Sequence, residues 1–193
     1  MIPDIIRGKF VRSGNSRLCI AGFLLCVMTA TGCARILSVE YQPTNQLRGQ
    51  GSVTIAPFRY QPSDEQRVRP RQVETNPSAK TELFFVHEIS AFFSDALGLE
   101  LRRSGYGLTE SSDRIVSGTL TRFYLDWTSG GDRSFELAAD YTVQSAGHTV
   151  FSWHCTSVQK GPNILVEDGM LIRTGTADCM SRFIHAAQVA KVF

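Results

Sequence analysis

The sequence predicts an α+β fold, a two-layer sandwich in which a mostly antiparallel sheet carries two helices on one face. Three observations predict it. Between Ile115 and Cys155 the apolar residues recur at every second position, the period of half-buried strands. Two other stretches, one ending near Ser104 and one beginning near Thr176, place their apolar residues at helical spacing. Two amphipathic helices need one apolar surface, and a meander with one greasy and one wet face offers it.

The elements follow in chain order. Arg7, Lys9, Arg12 and Arg17 precede a short, mostly apolar run from Leu18 to Ala30, and small residues then lead to Cys33. A basic region, an apolar region and small residues before a cut are the order of an export signal. The apolar run falls short of the roughly 20 residues that a spanning helix needs. Ala30-Thr31-Gly32-Cys33 resembles the lipobox of bacterial lipoproteins, whose Cys becomes the lipidated first residue of the mature protein. The alternative is an ordinary secretory signal with a chance Cys, and on either reading the chain is exported. Residues 1–32 are read as a lipoprotein signal peptide. Residues 33–51, with Pro43, Asn45, Gln46, Gly49, Gln50 and Gly51, read as a lipidated tether, and 52–193 as a single α+β domain.

Val53–Ala56 is a strand that Pro57 closes or places at an edge. Residues 61–76 are polar and form a long loop. It carries the cluster Arg67-Val68-Arg69-Pro70-Arg71, either simply solvated or a contact for anionic lipid headgroups or an acidic partner. Asn76-Pro77 opens a helix, with Asn at the cap and Pro in the first turn. It runs to Ser104, with Gly105 as its C-terminal cap. Its apolar residues fill an arc of about 200°, wider than the stripe of an ordinary surface helix. Phe84 lies beyond that arc. The excess predicts a partner-binding patch of Phe84, Phe85 and Phe92, unless residues 61–76 or the segment of Ile164, Leu165 and Val166 fold over it. Glu100 falls inside the arc and, in the last turns, is expected to reach water.

The period then switches to two. Ile115, Phe123, Leu125 and Trp127 share one strand face, and Gly118 marks a possible bulge. Ser129–Asp132 reads as a hairpin loop. Phe135, Leu137, Ala139, Tyr141 and Val143 line one face of the next strand, and Ala146-Gly147 turns the chain. Phe151, Trp153 and Cys155 then point one way, with His148, Ser152 and His154 the other. Gly161-Pro162 ends the meander. A final helix begins near Thr176 with Asp178 in its first turn, and carries Met180, Phe183, Ile184 and Ala187 as an apolar stripe.

Charge and cysteine content narrow the function. Removing residues 1–32 takes Lys+Arg from 20 to 16 and Asp+Glu from 18 to 17, so the formal charge falls from +2 to 16 − 17 = −1. The apparent basicity belongs to the signal and gives no argument for nucleic acid. Beyond Cys33 only Cys155 and Cys179 remain. Cys155 shares the apolar face that should meet the start of the last helix, so the two form either a disulfide or a pair of buried thiols. No histidine stands at ligand spacing to them, and no metal or cofactor is expected. The chain has no Gly-x-Ser-x-Gly elbow, Ser-x-x-Lys, His-Glu-x-x-His or phosphate-binding glycine loop. Asp126, Glu136, Asp140 and His154 share the wet face, where carboxylates and imidazole can act as acid and base. Solvated strand residues look the same, so no enzyme is expected. Trp127, Trp153 and Tyr141 read as core.

An early strand, a helix ending in Leu-Glu-Leu-Arg-Arg-Ser-Gly-Tyr and a meander opening with Asp113-Arg114-Ile115-Val116-Ser117-Gly118-Thr119-Leu120 together resemble the YajG-type lipoproteins. In outline the chain is also similar to the auxiliary lipoproteins of envelope transport systems. The resemblance implies a periplasm-facing domain, lipid-anchored to the outer membrane and working by binding an envelope protein complex or a lipid. Ala34 rather than Asp after the lipidated Cys points, by the family's sorting rule, to the outer membrane. The alternatives are a structural or pilot lipoprotein of a secretion or surface apparatus, and an unrecognised periplasmic hydrolase.

Overall fold

A computed structural model describes residues 34–79, 81–127, 132–162 and 167–193. Three long strands dominate: β7 (Arg114–Asp126), β8 (Asp132–Ser145) and β9 (His148–Pro162), paired antiparallel in the order β7-β8-β9. The short strands before them are β1 (Ala34–Leu37), β2 (Ser52–Ile55), β3 (Arg59–Tyr60), β4 (Glu74–Thr75), β5 (Glu82–Phe85) and β6 (Gly107–Leu108). The helices are α1 (Gln61–Asp64), α2 (Ile89–Arg103) and α3 (Asp168–Val189).

β7 organises the molecule. One edge pairs with β8 over its whole length. The other is covered in succession by three short parallel strands, with Thr54 opposite Ile115, Arg59 opposite Thr119 and Glu74 opposite Tyr124. β6 extends the sheet beyond β2. The long strands are thus antiparallel, as the alternation predicts, while the short ones join parallel. β1 and β5 form a separate two-stranded parallel ribbon.

Phe135, Leu137, Ala139, Tyr141 and Val143 of β8 are all buried, as their period requires. Both long helices cover that face. Tyr141 stacks on Phe183 of α3 at 4.2 Å between ring centroids, and Phe93 of α2 lies 6.0 Å from the same ring. Gly175 lets α3 approach β8, because a Cβ there would stand 2.8 Å from the Phe135 ring. Cys155 of β9 and Cys179 of α3 are disulfide-bonded with Cα atoms 5.8 Å apart, inside the usual range. The Ala146-Gly147 turn is present, with φ of 51° and 79°, the positive pair of a type I′ hairpin.

Several sequence expectations are corrected. The helix assigned from Asn76 starts only at Ile89, and Glu82–Phe85 is a strand. Leu83 and Phe85 point inward and Glu82 and Phe84 outward, a period of two hidden in a run that also fits helical spacing. The C-terminal end is as expected: Gly105 takes φ of 94°, and the Tyr106 amide donates to the Leu101 carbonyl. The segment read as a tether is packed on the body from Ala34 onward, because Leu37 and Asn45 are buried and Tyr41 and Leu47 lie against the core. Ile115 does not share a face with Phe123. Pairing shifts between Leu120 and Arg122, so the inward residues are Val116 and Leu120 before the bulge and Phe123 and Leu125 after it. Gly118 is no bulge: it stands opposite Tyr141, and the Phe58 ring fills the place of its missing side chain. The last helix begins at Asp168, not near Thr176, and Leu171 and Ile172 extend its buried stripe. Cys33, residues 1–32, the 129–131 part of the hairpin loop and Ile164–Val166 lie outside the described residues.

Candidate functional site

The outer face of the β1–β5 ribbon presents apolar side chains to solvent. Strand alternation places Ala34 and Ile36 of β1 beside Glu82 and Phe84 of β5 on that face, while Leu37, Leu83 and Phe85 are buried beneath. Ile36 and Phe84 are register partners, and Ile36 is 65% exposed. The loop 69–71 rims the face. Its backbone is pinned to the ribbon and to α2: the Phe85 amide donates to the Arg71 carbonyl at 2.7 Å and the Ile89 amide to the Pro70 carbonyl at 3.0 Å. The Arg69 guanidinium lies 5.5 Å from the centre of the Phe84 ring, a cation–π distance. Arg71 Nε donates to the Phe85 carbonyl at 3.0 Å. With Glu88, these residues enclose an open depression of about 500 Å³.

Three buried carboxylates, Asp168, Glu100 and Glu74, hold the surroundings in place. Asp168, in the first turn of α3, takes Arg133 of β8 at 2.9 Å and Arg35 of β1 at 3.3 Å, which fixes the ribbon to the body. A carboxylate there also suits the helix dipole. Glu100 of α2 is fully buried rather than solvated. It accepts hydrogen bonds from the Tyr41 hydroxyl, the Thr44 amide at 3.0 Å and the Asn45 amide at 3.1 Å. Asn45 Nδ2 donates in turn to the Glu100 carbonyl at 3.1 Å. A charge that interrupts an apolar arc is thereby accounted for as the clamp for residues 41–45. Burial, then the bond to Glu100, pushes the Tyr41 hydroxyl well above the ordinary tyrosine range. Behind the loop, Glu74 receives Arg67 at 2.6 Å and the Phe123 amide at 3.0 Å. Tyr60, raised chiefly by burial and next by Glu74, lies beside them.

The wet face of the sheet gathers the polar residues expected of it. His154 Nδ1 lies 2.7 Å from Asp140 Oδ1 across the β8–β9 pair. Arg122 pairs with Glu136 at 2.7 Å and stacks over Tyr124 at 4.3 Å. Such an imidazole–carboxylate pair can pass a proton, but both partners are more than half exposed. Tyr141 is core, as expected, and Trp153 is half-buried.

Of the expected partner-binding residues, Phe85 and Phe92 belong to the core. They lie 5.2 Å apart and pack on Phe123 at 5.5 and 6.5 Å, so neither is available to a partner. Phe84 remains accessible, on a strand rather than a helix. Ile36 and the opposition of Arg69 to Phe84 were missed, because they depend on a parallel pairing between strands far apart in sequence. Among the described residues, no three His, Cys, Asp or Glu side chains are grouped to hold a metal. No described helix is long and apolar enough to cross a membrane.

No family model and no curated protein matches the chain. Similarity appears among solved structures. Protein XCC0632 from Xanthomonas campestris, assigned to the family DUF330, superposes with a TM-score of 0.62 at 10% identity, covering 81% of this chain and 96% of that one. The hypothetical protein CT253 from Chlamydia trachomatis gives 0.49 at 10% identity, covering 74% and 96%. Lipoprotein GNA1162 from Neisseria meningitidis gives 0.39 at 10% identity, covering 74% and 97%. The likeness to XCC0632 establishes a shared fold and nothing further; the other two are too distant to carry an argument. The resemblance to the YajG-type lipoproteins has neither a family model nor a curated relative behind it.

Proposed function

We propose that this chain is an exported lipoprotein, anchored through Cys33 to the outer membrane and facing the periplasm. It binds an envelope partner or lipid in transport or assembly and catalyses no reaction. The observation that carries the reading is the order of basic residues, short apolar run and Ala30-Thr31-Gly32-Cys33. The Cys155–Cys179 bond supports it, since disulfides persist in oxidising compartments outside the cytoplasm. The noncatalytic part rests on the lack of a catalytic motif in the sequence. The Asp140–His154 pair does not weaken it, because water screens a pair on an open strand face.

Mass spectrometry of the protein purified from envelopes is the test. The expected mature N-terminus is an acylated Cys33, and Cys33→Ala is expected to shift the protein out of the membrane fraction. An unmodified N-terminus at any other residue overturns the anchor. One acyl chain binds a bilayer only marginally, so a multiply acylated Cys is expected. Crosslinking in intact cells followed by identification of the adduct then names the partner.

A further inference from the structure

We infer that the outer face of the β1–β5 ribbon, Ile36 and Phe84 flanked by Arg69 and Arg71, is a docking surface for the headgroup layer of a phospholipid bilayer. The inference rests on the acylated Cys33 proposed above and adds to it a fixed orientation of the domain on the membrane.

Position is the first support. Ala34 opens β1 and lies on this face, and one peptide link spans only about 3.8 Å between Cα atoms. Acyl chains on Cys33 therefore emerge beside the ribbon, with no tether to let the domain swing away. Residues 34–37 are paired to β5, and Asp168 holds Arg35 from below.

Chemistry is the second. The face combines an exposed aliphatic side chain and a partly exposed aromatic ring with two exposed guanidinium groups. That is the composition of a surface lying at the boundary between headgroups and acyl chains. Arg35, Arg59, Arg67, Arg122, Arg133 and Arg182 each hold a carboxylate. Arg69 and Arg71 hold none among the described residues. Arg48, Arg102, Arg103, Arg114 and Arg173 also form no ion pair there, so it is the place of Arg69 and Arg71 beside Ile36 and Phe84 that fits these two to lipid phosphates. Arg69 is also kept over the Phe84 ring, so cation and apolar side chain present themselves together. Glu82 and Glu88 share the rim, so the face carries no large net positive charge. Docking therefore draws mainly on Ile36 and Phe84, and phosphate contacts at Arg69 and Arg71 set the depth.

The experiment uses the processed full-length protein in vesicles of phosphatidylethanolamine and phosphatidylglycerol. With Cys33 acylated and Cys155 bonded to Cys179, Ile36→Cys supplies one reactive thiol for an environment-sensitive fluorophore. Val158→Cys, on exposed β9, is the control. The label at position 36 is expected to shift to the blue in vesicles. Lipids with a quencher near the headgroup boundary should quench it at least about twofold more than the label at 158. Adding Arg69→Glu should reduce that difference without lowering the melting temperature. Equal quenching at the two sites in acylated protein overturns the docking surface while leaving the anchor intact. Absence of acylation in the same samples overturns both. Shielding of position 36 that rises with protein concentration and needs no vesicles also overturns it, since it marks contact with a second copy.

Discussion

The meander and the region before it were built by different kinds of information. From Phe135 to Val143 the residues that face the core can be named from sequence one by one, and they are buried as named, while Phe151 and Trp153 of the next strand are half-buried. From Ala34 to Leu108 the chain crosses the structure in short strands and turns apart from α2, and the placement of those strands was largely not legible. Every pairing of β7–β8–β9 is between neighbours in sequence, joined at one end by a type I′ turn. Every pairing of β1 to β6 with another strand is parallel, apart from the single antiparallel bridge of Phe84 to Gln72, and a parallel pair needs a crossover of a dozen or more residues. Local patterning encodes the first region, and long-range contacts to β7 and Glu100 encode the second.

Glu100→Ala is the strongest way to break that difference. It leaves the Tyr41 hydroxyl and the Thr44 and Asn45 amides without their acceptor. The expected loss is about 4 kcal/mol, since each buried donor left unpaired costs roughly 1–3 kcal/mol. Hydrogen exchange should quicken at Thr44 and Asn45 while β8 stays protected. A uniform rise in exchange across the molecule would show instead that the two regions unfold as one.

Removing the Cys155–Cys179 bond acts on the other region. The two residues are 24 apart in sequence, and a loop of that order stabilises by about 3 kcal/mol in the chain-entropy model. The double variant Cys155→Ala, Cys179→Ala should lower the denaturant midpoint without changing exchange at Thr44 and Asn45. Matching exchange changes in the two experiments would erase the distinction between regions.

How far the sequence could be read follows the same line. β8 was readable because its alternation is uninterrupted. β7 was half readable, because one residue at the bulge turns the phase over and Ile115 and Phe123 end on opposite faces. In Glu82–Phe85 an adjacent Leu-Phe-Phe run satisfies both a helix and a strand, and only pairing with Ala34–Leu37 decides between them. The apolar arc of α2 was legible as a burial signal, yet its interruption at Glu100 gave no sign of the three donors waiting 55 to 59 residues upstream. Cys155 and Cys179 could be brought together in advance, as a disulfide or a pair of buried thiols, because both lie on regular elements whose buried faces meet. The patch at Ile36 and Phe84 could not, since Ile36 lies in a segment composed like a tether.

Alkaline titration probes both regions at once. Burial raises the hydroxyl pKa of Tyr41 and Tyr60 in the region before the meander and of Tyr141 within it. An unfolded tyrosine loses its proton near pH 10, whereas the folded ones keep theirs. Stability is therefore full below about pH 10 and falls above it, by at most about 1.4 kcal/mol per pH unit for each tyrosine. The Tyr141 hydroxyl has no hydrogen-bond partner among the described residues. Tyr141→Phe should thus raise stability at neutral pH by about 1 kcal/mol and make the alkaline fall less steep. Urea midpoints measured between pH 8 and pH 11, roughly spanning the tyrosine range, give both results. An unchanged slope in the variant would mean that Tyr141 ionises freely in the folded state.

The smallest effect sharpens the local end of the contrast. Ala146 holds φ of 51° in the turn that joins β8 to β9, and Gly147 holds 79°. A type I′ turn needs both signs positive, and Asn tolerates that region where Ala, with its Cβ close to the carbonyl, does not. Ala146→Asn should stabilise by about 0.5 kcal/mol. Because the hairpin forms from neighbours in sequence, the gain is expected in the folding rate if the turn closes before the slower parallel pairings to β7. Stopped-flow refolding separates the outcomes. Faster folding with an unchanged unfolding rate places the hairpin early. A change confined to unfolding means that the turn closes last, and that β7 must first be lined by β2, β3 and β4 before β8 and β9 lock onto it.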